Sequence, residues 1–114
     1  MVKVSVVIQR KAGMTREEFS RYWKDEHGPL ALRQHDFIRH IKKYVQCHQI
    51  MEGRDTGSLA KYDGIVELWA DSLDEVNRAF ASPGYTTKIQ PDEKNFCDDT
   101  NVVIMVTEEV TMKE

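Results

Sequence analysis

The sequence predicts an α+β fold in which strand, helix, strand, strand, helix and strand follow one another, and three observations carry that expectation. Residues 2–9 alternate apolar and polar side chains with the period of a strand. Residues 15–30 and 72–80 each open on a hydroxyl residue with Glu three positions later and continue as an apolar stripe at helical spacing. Residues 40–50, 62–70 and 101–110 supply three further runs rich in β-branched and aromatic residues.

In the first strand, Val2, Val4, Val6 and Ile8 share one face and Lys3, Ser5, Val7 and Gln9 the other; residues 11–13 then turn the chain. The stretch from Thr15 to Leu30 organises the remainder. Phe19, Tyr22, Trp23, Glu26, His27 and Leu30 follow the progression that lines one side of a helix, so His27 is expected to face inward. Thr15 and Glu18 form a capping box. Pro29 lacks an N–H and crowds the preceding turn, and Gly28 tolerates unusual backbone angles, so the helix should end or kink near His27. Pro29 is also suited to open a second short helical piece, with Leu30, Phe37 and Ile38 packing inward.

Residues 40–50 form the second strand, with Lys42, Tyr44, Gln46 and His48 opposite Ile41, Lys43, Val45 and Cys47. Residues 51–61 carry two glycines with Asp, Thr and Ser and read as a hairpin loop. In the third strand, residues 62–70, Asp63, Ile65, Glu67 and Trp69 share a face opposite Tyr62, Gly64, Val66 and Leu68. The second helix carries Leu73, Val76, Ala79 and Phe80 and stops at Ser82-Pro83-Gly84. A featureless connection over residues 85–101 would be unusually long, so a helical turn starting near Asp92 and burying Phe96 is expected there. The tail, residues 111–114, should fray. Two right-handed crossovers around a hairpin give a four-stranded antiparallel sheet with both helices on one face, the ferredoxin-like sandwich. Its other face is left bare, which predicts burial against a second copy in a homodimer.

Composition narrows the partners. The 114 residues suit one domain spanning residues 1–114. Sixteen basic and 19 acidic residues are scattered without a basic stripe, which argues against nucleic acid. Apolar runs stop at five residues, far below the ~20 that span a bilayer, so no membrane partner is expected. The opening residues fit a strand better than a signal peptide, and a cytoplasmic location is the default. Cys47 and Cys97 have no CxxC spacing and read as free thiols.

Several blocks invite comparison with a known family. Arg10-Lys11-x-Gly13-Met14-Thr15-x-Glu17-x-Phe19-x-x-Tyr22-Trp23-x-x-x-His27-Gly28-Pro29-Leu30 closely resembles the opening of the EthD family, within the dimeric α/β-barrel superfamily. Tyr44-Val45-Gln46, Tyr62-Asp63-Gly64-x-x-Glu67-x-Trp69 and Asp92-Glu93-x-x-Phe96-x-Asp98 resemble its later blocks in the same order. The resemblance implies a homodimer with a pocket between sheet and helices in each subunit, working on a small, largely apolar or aromatic molecule. The wider superfamily includes isomerases, polyketide cyclases, decarboxylases, cofactorless monooxygenases and haem enzymes, and fold alone does not choose among them.

The sequence contains no GxGxxG, P-loop, GxSxG or HExxH, so no cofactor is expected and chemistry would fall to side-chain acids and bases. His27, which titrates nearest neutrality, is the first candidate for catalysis, with Tyr44 and His48 beside it. Tyr22, Trp23, Asp63, Glu67 and Trp69 are the candidate substrate-binding residues. Each has a plainer reading: His27 as a helix-end histidine bonded to a carbonyl, Tyr22 and Trp23 as core, and Asp63 as a backbone ligand. Tyr44 and His48 have no catalytic role if their strand face is solvent or interface. Glu67, if buried and unpaired, would be protonated and able to act as an acid. No two of His27, His35, His40 and His48 lie four apart on one helix with an acidic helper, so no metal is expected. Haem could take His27 or His48 as its axial ligand, against the bulk of Tyr22 and Trp23. The leading expectation is a cofactor-independent enzyme for isomerisation, cyclisation, dehydration or decarboxylation of an aromatic or polyketide-like carbonyl compound. The alternatives are a non-catalytic carrier dimer serving an oxygenase and, further off, a haem-binding protein or cofactorless monooxygenase.

Overall fold

The structure is a computed structural model that describes residues 1–51 and 61–114. Four strands, β1 (Val2–Ile8), β2 (Lys43–His48), β3 (Gly64–Ala70) and β4 (Val103–Thr107), form one antiparallel sheet in the order β2-β3-β1-β4. Helices α1 (Arg16–Tyr22), α2 (Gly28–Leu32), α3 (His35–Ile38), α4 (Leu73–Ala81) and the short α5 (Gln90–Asp92) supply the second layer. This is the expected α+β, ferredoxin-like architecture. The loop expected over residues 51–61 falls almost wholly outside the described residues.

The first helix starts as its sequence predicts: Thr15 accepts from the Glu18 N–H at 3.1 Å and Glu18 accepts from the Thr15 N–H at 2.8 Å. Its end follows the expectation in part: Trp23–His27 widens into a π-helical stretch, and α2 then opens with Pro29 in its first turn, the expected second short helical piece. The Gly28 N–H bonds to the Trp23 carbonyl, one residue further back than in an α-helix, and that register gives the Pro29 ring room it would lack in an unbroken α-helix. Gly28 is needed here for a second reason. A Cβ on it would stand 2.8 Å from Nε2 of Gln46, which donates to the same Trp23 carbonyl at 2.9 Å. Beyond Pro29 the buried residues are Ala31 and Phe37, whereas Leu30 is half-buried and Ile38 packs at the edge of the core.

The second helix ends at Ser82 as expected, but helical structure resumes at once. Ser82 leaves α4 in an extended conformation, but its hydroxyl then accepts from the Tyr85 N–H at 3.3 Å and its carbonyl from the Thr86 N–H at 3.0 Å. The residue that caps α4 thus starts the next segment, with Pro83 at a position that needs no N–H. A second π-helical stretch, Tyr85–Ile89, follows, then α5 and a 3-10 turn at Glu93–Asn95. Helical structure therefore begins earlier than the turn expected near Asp92, although Phe96 is buried as anticipated. Strands β2 and β4 are shorter than their sequence runs.

Register sorts the sheet into two faces. Val4, Leu68, Tyr44 and Val106 stand in one row, and Val6, Val66, Gln46 and Ile104 in the next, towards the helices. Val4, Leu68 and Ala70 pack there against Ala31, Phe37, Val76, Ala79 and Ile89. A second cluster joins Ile8, Phe19, Trp23, Phe96 and Cys97. The opposite face carries Ser5, Val7, Val45, Cys47, Ile65, Glu67, Trp69, Val103 and Met105, with no described element over it. This bare face is less apolar than expected: Lys3 pairs with Glu67 at 2.6 Å, and Cys47 donates to Glu67 at 3.4 Å.

Gly64 marks the closest approach of sheet and helix. A Cβ there would collide with Cζ3 of Trp23 and come within 2.7 Å of its Cη2. Trp23 is fully enclosed and cannot swing away. Gly64→Ala should therefore destabilise the fold by about 1–3 kcal/mol, the usual cost of overpacking. Urea denaturation should show a lower midpoint at unchanged slope; an unchanged midpoint would show that the indole can move.

Candidate active site

His27 is brought inward by its place one turn after Trp23 and two after Phe19, and only 6% of its surface is exposed. Its ring packs on Phe96 at 4.7 Å between centroids. Nδ1 lies 2.8 Å from Oδ2 of Asp92, a residue 65 positions further along the chain. Asp92 is held in turn by the Tyr22 hydroxyl, which donates at 2.6 Å, and by Nδ2 of Asn95 at 2.8 Å. A carboxylate only accepts, so Nδ1 carries the proton and a neutral ring leaves Nε2 with its lone pair free. Among the described residues nothing bonds to Nε2.

Burial lowers the His27 pKa below the ordinary value of 6.5, and the bond and charge of Asp92 only partly oppose it. For Asp92 burial works upward, but the bonds from Tyr22, His27 and Asn95 prevail and its pKa lies below the usual carboxylate value. The pair at neutral pH is thus neutral imidazole and charged carboxylate.

His27 forms part of the wall of a cavity of about 750 Å³ between the helix-facing side of the sheet and the helical layer. Such a volume suits a small organic ligand. Most of the wall is aliphatic and aromatic, including Val6, Leu68, Phe80 and Ile89, and on one side it is finished by Val102, Ile104 and Val106 around β4. Ile104 remains 64% exposed, which makes this the open side. Polar groups are few. Tyr44 reaches the cavity with a hydroxyl that accepts from Gln46 at 3.2 Å and, among the described residues, donates to nothing. Trp23 lines the cavity with its indole N–H buried and, among the described residues, unpartnered. Glu93, on the turn that follows Asp92, lines the cavity beside Tyr85, whose hydroxyl donates to Oε2 at 3.4 Å, and Gln90, Lys94 and Asp99 add further polar groups to that part of the wall. Burial, reinforced by the charges of Asp99 and Asp92 and opposed by the Tyr85 bond, lifts the Glu93 pKa to about 7.

Of the residues singled out from sequence, the cavity gathers His27, Tyr44 and Trp23. Tyr22 stands behind the wall, on Phe96, and supports Asp92. His48 shares the helix-facing side with Tyr44 but packs on the Trp23 ring at 4.3 Å, outside the cavity. Both its nitrogens are engaged, by Ser20 at 2.8 Å and Gln46 at 2.9 Å, so it offers no free nitrogen to a substrate or a haem. Asp63 is a backbone ligand: it accepts from the Arg10 N–H at 2.8 Å and ties the residue before β3 to the second residue after β1. Glu67 and Trp69 point away from the cavity, because odd positions of β3 face the bare side. Glu67 is paired with Lys3 and its pKa is lowered mainly by that bond, the reverse of the protonated acid considered from sequence. Trp69 lies between the ammonium groups of Lys3 and Lys43, at 4.9 and 4.8 Å, and donates to Glu109. Among the described residues there is no cluster of three His, Cys, Asp or Glu side chains placed to hold a metal, and no helix long and apolar enough to cross a membrane.

Sequence reasoning missed Asp92, Glu93, Tyr85 and Gln46 as site residues. Two signals pointed at the first two: the Asp92-Glu93-x-x-Phe96-x-Asp98 block that resembles the EthD family, and the unusually long connection between the second helix and the last strand, since such connections often carry function.

Residues 11–100 match the EthD domain. Solved structures with the same fold include an EthD family protein from Bacillus halodurans C-125, 17% identical, with 96% of this chain and 99% of that one covered and a TM-score of 0.72. An EthD-like protein from Ralstonia eutropha JMP134 is 19% identical over 98% and 94% of the two chains, with a TM-score of 0.70. A dimeric ferredoxin-like protein from Bacteroides fragilis NCTC 9343 is 14% identical over 95% of each, also at 0.70. No curated protein matches the sequence.

The Glu93 ionisation has a consequence for stability. Its folded pKa is raised above the ordinary 4.5, so its contribution is fully present below 4.5 and is lost as pH rises through about 7. Glu93→Gln removes that loss. The variant should gain stability relative to the natural protein at pH 8, and the gain should fade towards pH 5. Urea midpoints at the two pH values check this; a difference independent of pH would show that Glu93 is already ionised at neutrality.

Proposed function

The chain belongs to the EthD family, and on that premise we propose that it is a cofactor-independent enzyme performing acid–base chemistry on a small aromatic or polyketide-like carbonyl compound. The observation that carries this reading is the free Nε2 of a neutral His27 at the cavity wall, its other nitrogen held by Asp92. Such an imidazole is oriented for proton abstraction and has a carboxylate to stabilise the imidazolium that results. Burial costs the charged ring and Asp92 offsets part of that cost, so the proton can be taken and returned. Tyr44, with a hydroxyl hydrogen to donate, stands where it can stabilise oxygen charge on the substrate. Isomerisation, cyclisation, dehydration and decarboxylation all use this pair of roles. The largely apolar wall also suits a carrier dimer, which would bind such compounds and leave them unchanged.

We further propose that the working unit is a homodimer joined through the bare sheet face. In support, Val7, Ile65, Val103 and Met105 form an apolar strip there that no described residue covers, and the Bacteroides fragilis relative is dimeric. Sedimentation at micromolar concentration should give twice the 13.3 kDa chain mass. A monomer would contradict the assembly, and Met105→Asp should dissociate it.

His27→Gln keeps most of the side-chain volume and removes the titrating group. On any aromatic carbonyl compound the natural protein converts, the variant should lose at least about 100-fold in turnover while remaining folded. Natural turnover in the variant would transfer the base to another group, and binding of such compounds without conversion by the natural protein would establish the carrier.

A further inference from the structure

The cavity holds a second proton-exchanging group that the role of His27 does not use. Asp92 and Glu93 are consecutive residues on one short turn, yet they face different partners: Asp92 reaches His27 and Tyr22, while Glu93 lines the cavity against Tyr85. One turn therefore fixes the base and presents a carboxyl group to whatever that base acts on. Among the described residues Glu93 has no ion pair, and Lys94, the adjacent cation, also lines the cavity without bonding to it.

We propose that Glu93 is the general acid of the same reaction, so that the substrate is an enolisable neutral ketone whose oxygen lies at the Tyr85–Glu93 end of the cavity. This rests on the acid–base reading of the site. In the forward step the C–H bond next to the carbonyl breaks, and its proton passes to Nε2 of His27 while its electron pair becomes the C=C bond. The carbonyl π pair takes the proton of the Glu93 carboxyl group, giving a neutral enol, an imidazolium and a carboxylate. Return of a proton from His27 to carbon, with Glu93 recovering its own from the enol hydroxyl, restores both residues without any oxidant or reductant.

The groups facing Glu93 favour the protonated form this step requires. Asp92 and Asp99 are carboxylates near it, Tyr44 of β2 and Cys97 are neutral groups whose own ionisation its charge would oppose, and the Tyr85 bond and the neighbouring Lys94 cation favour the ionised form without outweighing burial. His27 must be neutral to act and Glu93 must be protonated. The rate should accordingly rise as pH climbs through the lowered His27 pKa and fall again above about 7 as Glu93 ionises.

The test uses 2-tetralone, a neutral bicyclic ketone with exchangeable hydrogens beside its carbonyl. Binding is read by tryptophan fluorescence and exchange in D2O by proton NMR, across pH 5 to 9. The natural protein should bind it and accelerate exchange with a bell-shaped profile. His27→Gln should abolish the acceleration. Glu93→Gln should bind the ketone, lower the rate about 100-fold at the optimum and lose the alkaline limb while keeping the acid limb. Exchange that depends on His27 but keeps its rate and alkaline limb in Glu93→Gln overturns this proposal alone. Binding without any exchange by the natural protein overturns the acid–base reading as well, and failure to bind overturns the substrate class.

Discussion

The site depends on the bond between His27 and Asp92, which closes the helical layer from opposite ends of the chain. His27 arrives on the first helix and Asp92 on the connection before β4, so neither is positioned until both crossovers are packed. An imidazole this deeply enclosed would be left with an unmet donor if the carboxylate were absent, a cost of about 1–3 kcal/mol. Burial alone therefore does not explain the arrangement. The carboxylate selects the tautomer, the Tyr22 hydroxyl and Asn95 amide fix the carboxylate, and Phe96 covers the ring.

The fold was legible in the chain because its elements are set by local chemistry. Thr15 with Glu18 and Ser72 with Glu75 are capping pairs that need no tertiary knowledge, although in the structure Glu75 turns its carboxylate to His40 at 2.6 Å. The alternation of β1 settles which side of the sheet is buried. Helix ends were harder. Pro29 reads as an end or kink followed by a second helical piece and Pro83 as a stop; the chain meets the first by widening to a π-helical stretch before α2 and the second by reusing Ser82 as a cap. Such solutions depend on neighbours such as Gln46, which donates from β2 to the Trp23 carbonyl alongside the Gly28 N–H.

The site was only partly legible. His27, Trp23 and Tyr44 could be found because a helical stripe and a strand alternation point them inward. The partners of His27 and Tyr85 could not, since Asp92 and Glu93 lie in an irregular connection where no period assigns a direction. Glu67 and Trp69 show the converse error: they sit in a strand of clear alternation, but period alone does not say which face meets the helices. Register against β1 decides it, pairing Glu67 with Ser5 and Trp69 with Lys3 on the side away from the cavity.

The central claim is that His27 is neutral at physiological pH, with its proton on Nδ1 and its lone pair on Nε2. Long-range proton–nitrogen correlation spectra of protein labelled with 15N-histidine report the protonation of each ring nitrogen directly. At pH 7.5 the account requires a protonated Nδ1 and a bare Nε2 for His27, with Asp92→Asn disturbing that preference. A proton on Nε2, or a doubly protonated ring, would contradict it and remove the base from the cavity wall.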